Sequence, residues 1–124
     1  MKFLDSNILA YAFYRNEHTI RCQNAIRAGG IIDTFNLVEA FFVIEKETGS
    51  RDAAQKSVRS LLKSSLNIED LDINLVFEAL KKASNSKLSI FDLMHYTCAR
   101  IHDCDAIVSY DEDFDGLDIA REEP

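Results

Sequence analysis

The sequence predicts an α/β domain with a central, mainly parallel sheet flanked by helices, and three observations carry that expectation. Short apolar runs alternate with helical patterns along the whole chain. Those runs are continuously apolar, as in strands covered on both faces, and do not alternate as half-exposed strands do. Isolated acids also stand where a strand gives way to a helix, the place where open parallel sheets gather their ligands. With 124 residues, 47% of them hydrophobic and 28% charged, a single domain spanning residues 1–124 is expected, large enough to fold around its own core. One proline and four glycines fit regular elements joined by short loops.

Lys2, Phe3 and Leu4 read as the first strand, followed at once by Asp5-Ser6-Asn7 and then by Leu9, Ala12 and Phe13 at helical spacing. Asp, Ser and Asn all cap free helix amides, so Asp5 has an ordinary structural reading beside any chemical one. Residues 17–28 form the second helix, with Ile20, Cys22 or Ala25, and Ile26 turned inward, and Gly29-Gly30 stops it. Ile31 and Ile32 make a brief strand and Asp33-Thr34 the next cap. The third helix then buries Leu37, Val38, Ala40, Phe41 and Ile44, while Glu39 lies across from them, where most helix glutamates are simply solvated.

Residues 50–66 read as a fourth helix with Ala54, Val58, Leu61 and Leu62 as its apolar stripe. Lys56, Arg59 and Lys63 share its opposite face, the clearest basic row in an acidic chain, and so a candidate contact for a phosphate backbone or a partner. An edge strand or loop at 67–72 carries Ile68 and Leu71. The following helix turns Leu75, Val76, Ala79 and Leu80 inward and ends near Lys81-Lys82, where cations suit the helix dipole, before Asn85-Ser86-Lys87 breaks it.

The stretch 89–114 is the most informative. On a helical wheel Ile90, Leu93, Met94, Thr97, Cys98 and Ile101 gather on one side, with Asp92 and Tyr96 opposite and His95 and His102 at the margin. Ala106-Ile107-Val108 is a buried parallel strand, and Ser109-Tyr110-Asp111 follows its carboxyl end. Phe114 reads as a core plug, and Ile119-Ala120 as a last strand.

Asp5, Glu39, Asp92 and Asp111 are thus all expected at one edge of the sheet. Carboxylates a few Å apart resist ionising together, and a bound cation relieves that repulsion. Mg²⁺ or Mn²⁺, as one or two ions, suits all-oxygen ligands and supports phosphodiester hydrolysis by an activated water. Asn7 and Ser109 are placed to orient these acids. Tyr96, one turn from Asp92, is either a base-stacking face or a partly buried rim residue. His95, Cys98, His102 and Cys104 offer a rival zinc set, weakened by the absence of a CxxC pair and by the inward side of Cys98.

The net charge of −7 works against casual nucleic-acid binding, although divalent ions on the acids reduce the repulsion locally. Three cysteines form no disulfide framework and fit a reducing cytosol. The chain carries neither a membrane-length apolar run nor a signal-peptide profile, so a cytoplasmic protein without a membrane partner is expected.

Over nearly its whole length the chain resembles the PIN-domain family, most closely its small VapC-like toxins from toxin–antitoxin pairs. The resemblance rests on Asp5-Ser6-Asn7-Ile8-Leu9, Leu37-Val38-Glu39, Phe91-Asp92-Leu93 and the run from Ile107 through Ser109, Tyr110 and Asp111 to Phe114. It implies a Rossmann-like parallel sheet and an Mg²⁺- or Mn²⁺-dependent endoribonuclease site built from Asp5, Glu39, Asp92 and Asp111. Asn7 and Ser109 match the supporting polar positions, with Ser109 where threonine is commoner, and Asp113 is placed to reach a metal through water. The resemblance further implies an RNA substrate, a homodimer and an antitoxin that occupies the cleft. Two other readings remain open at this point: a binding-only PIN module in an RNA assembly, and a phospho-acceptor receiver domain. The second lacks the acidic pair after the first strand and the lysine after a late strand that receivers resemble one another in.

Overall fold

A computed structural model describes residues 1–124. Five three-residue strands form one all-parallel sheet in the order β3-β2-β1-β4-β5. They are β1 (Lys2–Leu4), β2 (Ile31–Asp33), β3 (Asn67–Glu69), β4 (Ala106–Val108) and β5 (Ala120–Glu122). The helices are α1 (Ser6–Tyr11), α2 (Thr19–Ala28), α3 (Thr34–Thr48), α4 (Arg51–Leu62), α5 (Ile73–Lys82) and α6 (Ile90–Ile101).

Successive strand residues point to opposite faces, and the three central strands show it directly. Leu4, Ile32 and Val108 join Ile8, Leu9, Ile44 and Leu61 in one core beneath α1 to α4. Phe3, Ile31 and Ile107 join Leu75, Cys98 and Phe114 in a second core beneath α5 and α6. Each such side chain, withdrawn fully from water, contributes about 1.5–3 kcal/mol. Phe114 is 1% exposed and fills the second core as its sequence position implies.

The helical stripes are narrower than the apolar pattern. Ile20, Val38, Leu62, Leu80, Ile90 and Ile101 were expected inward but are exposed. Small residues such as Ala40, Ala54 and Ala79 are fully buried, whereas the apolar residues at the margins of the stripes stay in water. Conversely α6 buries His95 and Ala99, because its second side faces α3 and the end of β2 rather than solvent. Boundaries also move: α2 starts at Thr19, α4 ends at Leu62, and the last strand begins at Ala120. The helix α6 ends in a left-handed Asp103 with φ 51°, and Cys104 N–H donates back to the carbonyl of Ala99 at 3.0 Å.

Gly30 sits at the entrance to β2 with φ 145°, and a Cβ there would lie 2.6 Å from the Lys2 carbonyl oxygen in β1. Close approach and backbone angle both demand glycine. Gly30→Ala is expected to lower unfolding free energy by about 1–3 kcal/mol, read as a lower urea midpoint.

Candidate active site

The order of the strands places β1 between β2 and β4, so the crossover reverses direction at β1 and leaves a crevice beyond its carboxyl end. Asp5 lies at that point, 5% exposed. It does cap α1, accepting from Ser6 N–H at 2.8 Å through Oδ1, while Oδ2 accepts from the Ser109 hydroxyl at 2.6 Å. Asp5 is therefore the cap that its sequence position allows, with its second oxygen tied to Ser109 across the sheet. Burial pushes its pKa up, opposed by the Ser109 hydrogen bond and the charge of His95. Ser109 in turn accepts from Asp111 N–H at 2.9 Å, so one hydroxyl aligns the acid after β1 with the acid after β4.

Asp92 and Asp111 meet, and Asp113 joins them: one carboxylate oxygen from each lies within 4.8 Å of the others. Ser89 caps α6 and puts Asp92 in its first turn, and the 3-10 turn Glu112–Phe114, capped by Asp111, brings Asp113 round. The pKa of Asp92 is pushed up to about 6, first by burial and then by the charges of Asp5 and Asp111. Neither lysine nor arginine pairs with Asp5, Glu39, Asp92, Asp111 or Asp113. Arg121 comes near, donating to the Ser109 carbonyl at 3.0 Å, but its own ion pairs are with Asp115 and Glu123.

Glu39 is not the solvated glutamate of an ordinary helix surface. Its Oε1 accepts from the Ser6 hydroxyl at 2.7 Å and is bonded by His95 Nε2, leaving Oε2 without a protein donor. Burial opposes ionisation of Glu39, but the His95 hydrogen bond and charge outweigh it and hold its pKa below the usual value. The other imidazole nitrogen, Nδ1, lies 2.7 Å from Asp33 Oδ2, and Asp33 is fully buried. The two carboxylates hold the His95 pKa up at about 10 against the opposing effect of burial, so the ring is an imidazolium with both nitrogens donating. Phe3 and Phe35 cover it, with ring centroids 5.7 Å and 5.9 Å away.

Asn36 completes the arrangement. It exchanges hydrogen bonds with Asp33 as a capping box at the start of α3, and its amide donates to the Ser6 hydroxyl at 2.8 Å. The chain Asp33, His95, Glu39, Ser6, Asn36 and back to Asp33 is thus a closed ring of buried and half-buried polar groups. Sequence reasoning gave Asp33 only a capping role and left His95 at a helix margin. The available signal was Asn36 three residues after the Asp33 cap, together with a histidine flanked by core positions on α6. Supporting contacts to Glu39 come from Ser6 and His95, whereas Asn7, half-buried one residue further along α1, hydrogen-bonds to none of the acids.

The remaining candidates lie away from this crevice or at its rim. Tyr96 is half-buried, gives its hydroxyl to Asp118 and carries the Lys82 ammonium 5.9 Å from its ring centroid. Lys56, Arg59 and Lys63 line a recess of their own on α4, where Lys56 pairs with Asp52 at 3.0 Å. The rival zinc ligands do not converge: His95 is held by Asp33 and Glu39, His102 faces Glu69 at 3.8 Å, and Cys98 and Cys104 are buried free thiols.

Residues 2–120 match the family model of the PIN domain. The chain belongs to the PIN-domain family. Among solved structures this PIN domain is similar to Mycobacterium tuberculosis VapC20, described as a sarcin-ricin loop cleaving toxin, with 16% identity, TM-score 0.84 and full coverage (100%) of both chains. It is also similar to VapBC2 from Rickettsia felis bound to a promoter DNA fragment, with 18% identity, TM-score 0.73 and coverage of 98% and 97%. A toxin–antitoxin complex from Klebsiella pneumoniae matches with 16% identity, TM-score 0.70 and coverage of 95% and 93%. No curated protein sequence matches. At these identities the likeness establishes the fold: this PIN domain folds as VapC structures do.

Proposed function

We propose that this PIN domain is a metal-dependent endoribonuclease, the toxin of a toxin–antitoxin pair. The observation that carries the reading is the convergence of Asp92, Asp111 and Asp113 with no lysine or arginine to neutralise them. Carboxylates whose burial, joined by mutual repulsion, raises a pKa to about 6 are primed for a hard divalent cation, and an all-oxygen set suits Mg²⁺ or Mn²⁺ over zinc.

Asp92 and Asp111, joined by Asp5 and through water by Asp113, would hold one or two such ions. When bound they supply a water of lowered pKa and charge stabilisation at the phosphate. The chain's own residues do the positioning. Ser109 fixes Asp5 and the Asp111 backbone together, and His95 with Ser6 fixes one oxygen of Glu39 so that the other can accept a proton from the attacking water or complete the ion's shell. No side-chain nucleophile is needed.

The same reading includes RNA as substrate, a cytoplasmic setting, a homodimer and an antitoxin partner. Exposed Val38, Phe42 and Phe91 flank Glu39 in an apolar recess of about 390 Å³, which supports a protein partner at the mouth of the site. No helix is long and apolar enough to cross a membrane. The deciding experiment is cleavage of total RNA with Mn²⁺ or Mg²⁺, against EDTA and against Asp5→Asn and Asp111→Asn. Metal-dependent cleavage lost in both variants is expected. Equal cleavage by all three proteins would identify a contaminant and leave a binding-only module.

A further inference from the structure

An acidic crevice repels the phosphates it has to bind, so cations must line the approach. We infer that the strand of RNA enters along the groove between the α5–α6 turn and the segment after β4, held there by Lys82 and Lys87. This rests on the nuclease reading and adds the path of its substrate.

The groove encloses about 590 Å³ and shares Asp113 with the acid cluster, while Leu93, next to Asp92, forms part of its floor. Lys81, Lys82 and Lys87 all line it. Lys81 is committed to Glu78 at 3.2 Å, lying over Phe77, but Lys82 and Lys87 have no carboxylate partner. Neither is engaged in an ion pair, so both remain free to meet a phosphate in the groove. Lys82 lies over the Tyr96 ring and stands in the last turn of α5, where the helix dipole favours it, so its position is fixed without neutralisation.

The basic row on α4 is the competing surface, and geometry separates the two. Lys56, Arg59 and Lys63 line a recess with Ser60 alone, and no acid of the cluster borders it. A strand lying on Lys82 and Lys87 runs directly to Asp113. Tyr96 then serves as a groove wall and support for Lys82.

The probe is a fluorescein-labelled, mixed-sequence single-stranded RNA about thirty nucleotides long, cleaved with Mn²⁺ and, in an Asp5→Asn background, titrated for binding at several salt concentrations. The paired substitution Lys82→Glu with Lys87→Glu is expected to raise KM about tenfold or more with kcat within about twofold. Loss of two phosphate contacts flattens the log K against log salt slope by about 1.4. Lys82→Arg with Lys87→Arg retains binding, and an unchanged thermal midpoint shows that the fold is intact. If the charge reversal leaves KM and slope unaltered while Lys56→Glu, Arg59→Glu and Lys63→Glu together raise KM, the groove assignment is overturned and the nuclease reading stands. If the charge reversal abolishes binding but no Asp5-dependent cleavage exists, the groove stands and the nuclease reading falls.

Discussion

His95→Ala unfolds with about 3–5 kcal/mol less free energy than the parent protein, the loss expected when one member of a buried ion pair is removed. Asp33, wholly buried, loses the imidazole that faces its Oδ2, and the Glu39 oxygen loses one of its two donors. The loss is not additive. Asp33→Asn combined with His95→Leu removes both buried charges and recovers part of the stability lost in His95→Ala, because a satisfied apolar replacement costs less than an orphaned carboxylate. The pH dependence has a definite sign. Because the folded His95 pKa, about 10, lies above its ordinary 6.5, its contribution is complete below about pH 6.5 and fades as pH rises towards 10. Urea midpoints at pH 6 and pH 9 should therefore fall more steeply in the parent than in the His95→Leu variant.

Asp92→Asn moves activity and stability in opposite directions. On the proposed reading, in which Asp92 holds the ion, cleavage falls about a hundredfold or more, because a ligand worth several kcal/mol of transition-state stabilisation is lost. The metal-free protein becomes more stable at neutral pH. Asp92 has its folded pKa raised from 3.8 to about 6, so in the parent its favourable share exists at low pH and is lost as pH rises through that value. The asparagine variant lacks that decline. In EDTA, its urea midpoint should exceed the parent's at pH 7 and match it more closely at pH 4. Saturating Mn²⁺ should reverse the order at pH 7, since an ion that binds only the folded parent stabilises it by mass action. An Asp92→Asn protein that is no more stable in EDTA would mean that neither burial nor the neighbouring acids penalise the Asp92 carboxylate.

The sheet was legible because its strands need no partner to be recognised. Ala106-Ile107-Val108 and Ile31-Ile32 are short, β-branched and apolar on both faces, and each is followed by a cap or a polar turn. Helix orientation was less so: a wheel ranks residues by hydrophobicity, but Val38 and Leu62 stay in water because the neighbouring elements do not reach them. Asp5, Asp92 and Asp111 stood out as acids at element junctions. The ring behind Glu39 did not, since Asp33, Asn36, Ser6 and His95 are ordinary as single residues. Their meaning comes from α1, α3 and α6 converging at the end of β2, which no local pattern encodes.

Ser109 binds Asp5 across 104 positions of sequence, and the β1–β4 pairing that allows it closes only after residue 108 has been made. A polypeptide still emerging from the ribosome therefore has its first acid long before its last two can be brought beside it. The crevice that gathers these acids is therefore assembled only when the chain is almost complete.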